Sequence, residues 1–100
     1  MKYAVKFPTA SIEKRFLKAL NDIFPKEAQE QIKEKVLSLS DNPRPYGEPK
    51  IKPPIDVYSY VAQYRSRVGD YRVLYDVDDR RKTVWILALR RRSERTYRKR

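Results

Sequence analysis

Two hydrophobic periods run along this chain, and they change places in a definite order. Over Lys2–Phe7, Tyr3, Val5 and Phe7 alternate with Lys2, Ala4 and Lys6, the two-residue period of a strand with one wet face. Pro8 stops it. Thr9 or Ser11 offers an N-cap, with Glu13 in the first turn. Ile12, Phe16, Ala19/Leu20 and Ile23 then recur on one helical stripe. Pro25 suits the first turn of a second helix, whose stripe is Ala28, Ile32, Val36 and Leu39. The short link between the two stripes predicts an antiparallel helical hairpin. "DNPRPYGEPKIKPP", Asp41–Pro54, holds five of the seven prolines and is excluded from helix and from central strand. The two-residue period then returns in three runs: about Val57–Val68, Tyr71–Val77 and Thr83–Leu89. "VGDY" reads as a tight hairpin turn, because Gly69 tolerates positive φ. "TVWILAL" is apolar on both faces and is predicted to be a central, doubly covered strand.

The order is strand, helical hairpin, then an antiparallel three-strand meander. This is an α+β fold, one sheet with both helices on one face. Residues 1–100 form a single domain, ending in a basic tail at 90–100. The apolar sets Tyr64, Ser66, Val68 and Tyr71, Val73, Tyr75, Val77 are expected to face the helices. Arg65, Arg67 and Arg72 then converge on the open face, and the basic tail joins them if the last strand lies beside the third.

Charge sharpens this picture. The net charge is +11, and 11 of the 13 arginines fall in residues 57–100. Arginine presents a planar fork that fits phosphate bidentately, so the bias points to an anionic partner such as nucleic acid. Arg65, Arg67, Arg72 and Arg91 can clamp a phosphodiester, and Tyr97 offers a hydroxyl and a face for stacking. Lys50, Lys52, Arg90, Arg92 and Arg95 are candidate RNA contacts. The competing reading is a solvated basic face whose arginines pair with Asp70, Asp76 or Asp78. The chain has no histidine and no cysteine, which removes His-based triads, thiolate chemistry and the usual zinc ligands. Its only glycines are Gly47 and Gly69, so neither a P-loop nor a dinucleotide fingerprint exists. No apolar run is long enough to span a membrane, and no signal peptide precedes the first strand. The expectation is a cytoplasmic protein that needs no metal or cofactor.

"YRSRVGDYRVLYDVD" followed by "TVWILALRRRSERTYR" resembles the RelE/ParE superfamily of toxin–antitoxin toxins. The family pattern runs Tyr-Arg-x-Arg-x-Gly-x-Tyr-Arg, two hydrophobic residues and Tyr. A hydrophobic strand, a short basic motif and a tyrosine about six residues on complete it. The match is strongest over residues 64–97, and the upstream elements fit the expected order. The resemblance, closer to the RelE branch, implies a toxin that cuts mRNA on the ribosome. In such toxins the ribose 2′-OH attacks the adjacent phosphate without a metal. It places Arg65 and Arg67 at the two basic positions of the second strand and makes Arg72 the phosphate-binding arginine. Arg91 is the arginine of the basic motif, and Tyr97 the C-terminal tyrosine. Two departures stand out: arginines replace the lysines of the best-studied type, and "LALRRR" replaces the usual Gly-His/Lys-Arg. The resemblance also implies an acidic, RelB-like antitoxin. The ParE branch, which poisons DNA gyrase, and a non-catalytic RNA- or ribosome-binding relative are the alternatives.

Overall fold

The fold is taken from a computed structural model, which describes residues 2–45 and 50–91. Strand β1 (Ala4–Lys6) is followed by helices α1 (Ala10–Asn21) and α2 (Lys26–Ser38). Strands β2 (Ile55–Val57), β3 (Tyr60–Ala62), β4 (Tyr64–Val68), β5 (Tyr71–Asp78) and β6 (Thr83–Arg91) come after the Pro-rich connector. Thr9 starts α1 as the sequence suggests: its hydroxyl accepts from the Ile12 amide at 3.1 Å. Among the described residues no helix is long and apolar enough to cross a membrane.

The main sheet has the order β1-β6-β5-β4, with β1 parallel to β6 and the other pairs antiparallel. The strand 83–89 of the sequence reading is therefore internal, as its two apolar faces require, and it runs on to Arg91. Arg90 and Arg91 are thus strand residues, and the basic tail begins after them. The helical hairpin fills one face through Phe16 and Leu20 of α1, Ile32 of α2, and Ile23 and Leu39 just past the helix ends. These meet Tyr64, Val73, Tyr75, Val84 and Ile86 of the sheet.

The continuous strand expected over 57–68 is corrected. The chain reverses at Tyr58–Ser59, so β2 and β3 form a separate two-stranded sheet, with Val57 opposite Tyr60. Tyr58 takes φ of 58°, a conformation that turns of this length usually give to glycine or asparagine. This small hairpin packs on the second face of the main sheet. Val57 and Ala62 join Leu74, Leu87 and Ile12 in a second buried cluster. The face opposite the helices is consequently half covered.

The connector is fastened to the sheet by a polar clasp. Arg44 reaches Asp79 with both Nη atoms, at 3.2 and 2.8 Å, and donates through Nε to the Tyr64 hydroxyl at 3.1 Å. The Tyr3 hydroxyl donates to the same carboxylate at 2.6 Å, and the Tyr75 hydroxyl to the Pro43 carbonyl at 2.8 Å. The Arg44 and Tyr3 bonds hold the Asp79 carboxyl below the usual carboxylate range. The same bonds raise the Arg44 and Tyr3 pKa values, in each case chiefly through Asp79. A carboxyl whose pKa is depressed by folding stabilises the fold above its unfolded pKa of about 3.9. That contribution is lost as pH falls through the folded pKa. Asp79→Asn is therefore expected to lower stability at neutral pH. Urea midpoints of parent and variant should converge as the pH is taken below about 4.

Candidate nucleic-acid interface

The functional candidates are sorted by strand pairing, because residues directly opposite each other in a sheet point to the same side. Tyr64 faces Tyr75, Ser66 faces Val73 and Val68 faces Tyr71, which are all helix-side positions. Arg65 faces Leu74 and Arg67 faces Arg72 on the other side. The arginines of β4 and β5 therefore do share the face away from the helices.

β6 departs from strict alternation. Tyr75 pairs with Ile86, but Leu74 pairs with Ala88, so one residue, Leu87, is inserted between the two rungs. The slip turns every later β6 side chain over. Leu89 comes opposite Val73 on the helix side, and Arg90 comes opposite Arg72 on the other. Arg67, Arg72 and Arg90 thus lie in one row across three strands. At about 4.8 Å per strand the row spans about 10 Å of backbone. Arg72, at its centre, is only 4% exposed, whereas Arg67 is exposed and Arg90 half-buried. Arg65 stands two residues from Arg67 on the same side, half-buried.

Arg91, expected in this cluster, lies elsewhere. It pairs with Tyr71, and its guanidinium stands 5.8 Å from the centroid of that ring, on the side that the helices cover. The structure puts Arg90 where the sequence placed Arg91. Nothing in the alternation of "ILALRRR" marks the slip, since Leu87 and Ala88 are both apolar. The one signal in the sequence is the triple arginine itself, which supplies a guanidinium to either face of the strand.

Lys50 and Lys52 are exposed and flank Ile51, whose amide donates to the Gln63 carbonyl at 2.8 Å. Gln63 precedes Arg67 by four residues, about 13 Å along a strand. The backbone that carries the two lysines thus meets the chain just ahead of β4, two residues before Arg65. Arg92, Arg95 and Tyr97 lie outside the described residues. Of the acids weighed as partners for the arginines, Asp78 is engaged by Arg81 through the backbone amide at 3.1 Å and the side chain at 4.0 Å. Among the described residues no three potential metal-ligating Asp or Glu side chains come together. The row is a set of guanidinium groups fixed on rigid strands, with Arg72 buried between exposed Arg67 and half-buried Arg90; guanidinium is the side-chain chemistry that pairs with phosphate oxygens.

Residues 10–96 match the sequence profile of the ParE toxin of type II toxin–antitoxin systems, parDE. The chain belongs to this family. No curated protein matches it. Among solved structures, the toxin is similar to a chain of the archaeal RelE–RelB complex from Pyrococcus horikoshii. The two are 32% identical, with 92% of this chain and 97% of that chain covered and a TM-score of 0.66. It is also similar to a chain of the toxin–antitoxin complex RelBE2 from Mycobacterium tuberculosis. There the identity is 26%, the coverage 93% and 94%, and the TM-score 0.64. An arginine-to-alanine double mutant of Escherichia coli toxin RelE in the free state shares the fold. It is 21% identical over 96% of this chain and 88% of that one, at a TM-score of 0.55. The protein is a toxin of the RelE/ParE superfamily, as the motif over residues 64–97 implied.

The toxin's arginine row depends on the β4–β5 turn. Gly69 and Asp70 connect Val68 to Tyr71 in a two-residue loop, and Gly69 has φ of +60°. A Cβ there would meet nothing within 4 Å, so the cost of a side chain is confined to the backbone. Gly69→Ala is expected to destabilise the toxin by about 1–2 kcal/mol. Gly69→Asn should cost less, since asparagine tolerates the left-handed region. Urea unfolding of the three proteins measures both differences.

Proposed function

We propose that the toxin is an endoribonuclease that cuts mRNA on the ribosome. The observation that carries this reading is the row Arg67–Arg72–Arg90, with Arg65 beside it, on a face that the helices leave open. Guanidinium groups on adjacent strands give several donor forks within reach of one phosphate group, which supports binding of an anion on this face. In the proposed reaction the ribose 2′-OH attacks the adjacent phosphorus while the bond to the 5′-oxygen of the next nucleotide breaks. The products are a 2′,3′-cyclic phosphate and a 5′-hydroxyl. Arginine remains protonated, so Arg65, Arg67, Arg72 and Arg90 bind the phosphate and stabilise its growing charge rather than accept a proton. The Tyr97 hydroxyl is assigned the proton transfer. Arg91 lies on the other side of the sheet, beside the Tyr71 ring.

The proposal includes an acidic antitoxin. Two of the similar solved structures are toxin–antitoxin complexes, and a chain of net charge +11 attracts an acidic partner quickly and in a salt-dependent way. The second reading, inhibition of DNA gyrase, is favoured by the family profile, which is that of ParE.

Mapping mRNA 5′ ends in a translation extract separates the two. Ribosome-phased cuts support the nuclease, whereas inhibited DNA supercoiling with intact mRNA supports the gyrase reading. Arg72→Gln should lower cleavage by ~10²–10³, the usual effect of removing one preorganised donor to a transition-state oxyanion. Lys52→Ala should leave the rate nearly unchanged. A 2′-deoxy nucleotide at the cut position should abolish cleavage while binding persists.

A further inference from the structure

The open face does not end at the arginine row. Against the β2–β3 hairpin it carries a cavity of about 290 Å³ lined by Pro8, Tyr60, Val61, Asp76, Trp85 and Leu87. Asp76 and Trp85 are directly opposite each other on β5 and β6, so a carboxylate and an indole stand side by side there. On this side of β4–β6 the other acid, Asp78, is engaged by Arg81, and the remaining charges are the arginines. Asp76 follows Arg72 by four residues, about 13 Å along the strand.

We propose that this cavity holds a guanine base of the RNA strand whose backbone lies on the arginine row. The inference rests on the row's being an RNA phosphate site. The cavity is at the lower limit of ligand pockets, which run from about 300 Å³ upward. It therefore suits one planar ring system rather than a larger ligand. Trp85 and Tyr60 supply π-faces, on which any base stacks. Asp76 supplies the selection. An ionised carboxylate only accepts hydrogen bonds, and guanine presents two adjacent donors, N1–H and the 2-amino group. Adenine and cytosine set one amino group beside an acceptor nitrogen, which a carboxylate repels. Uracil sets its one N–H between two carbonyl oxygens. Burial pushes the Asp76 carboxyl up, opposed by the Val77 amide and the charge of Lys50. A desolvated carboxylate of this kind gains most from a ligand that brings its own donors. Arg72 and Asp76 lie about 13 Å apart along β5, so the recognised guanine is at or next to the cut site and sets sequence context.

Trp85 is the only tryptophan in the chain, so its fluorescence reports on the cavity. The full-length toxin is titrated with guanosine, inosine, adenosine and uridine, which lack the phosphate that the arginines would hold. Millimolar guanosine should quench Trp85 saturably, inosine more weakly for want of the 2-amino group, and adenosine and uridine least. Asp76→Asn should weaken guanosine binding by roughly ten- to a hundredfold, the worth of a bidentate base contact. Arg72→Gln should leave it unchanged. If Asp76→Asn does not fold, Val61→Arg at the rim, where Val61 is 44% exposed, should remove the guanosine signal. Equal quenching by all four nucleosides, none by guanosine, or guanosine binding indifferent to both cavity variants overturns the proposal. Guanosine binding in a toxin that leaves mRNA uncut retains the cavity and removes the nuclease. Phased cleavage without guanosine binding does the reverse.

Discussion

A slip of one residue in the pairing of β5 with β6 determines what the open side of this sheet carries. Before Leu87, strict alternation sends Val84 and Ile86 into the helix-side core. After it, the opposite parity is needed to bury Leu89 against Val73. The inserted residue satisfies both requirements, and Arg90 is turned beside Arg72 as a result. Without the slip Leu89 would face the open side opposite Arg72, and Arg90 would lie against Tyr71. The hydrophobic demand on one face thus fixes the cation content of the other, because side-chain direction in a strand has a period of two.

The second face is shaped by the β2–β3 hairpin. By covering Leu74 and Leu87 together with Ile12 of α1 it completes a second core, and it divides the remaining surface in two. One end is dense in guanidinium groups. The other is aromatic and carries a carboxylate. The strands themselves set Arg67, Arg72 and Arg90 at one end and Asp76 and Trp85 at the other. The hairpin separates these two chemistries on a common rigid support.

Much of this was legible in the residues. The stripes Ile12–Phe16–Leu20 and Ile32–Leu39 report burial directly, and all five side chains are buried. The alternation of Tyr71–Val77 assigned Arg72 to the correct side. Three features were not legible, each for its own reason. The turn at Tyr58 breaks a strand-like run without glycine or asparagine, so no local signal announces it. The slip at Leu87 is hidden among apolar residues that suit either face. The clasp joins Arg44 to Asp79 and Tyr3 to Asp79 across 35 and 76 positions, and pairings of that span have no periodicity to read.

The connector between α2 and β2 has a further meaning once its anchors are considered together. Pro43 and Arg44 are bonded to β5 and to the β5–β6 turn, and Ile51 is bonded to Gln63 just ahead of β4. The segments before and after it are interlocked without it, since β1 lies against β6 and α1 and α2 pack over β4–β6. Its length is therefore nearly decoupled from the geometry of the sheet. Loop-closure entropy adds only about 0.6 kcal/mol for each doubling of a loop. Within such a chain this stretch is where insertions and deletions can accumulate while the spacing of the arginines stays fixed.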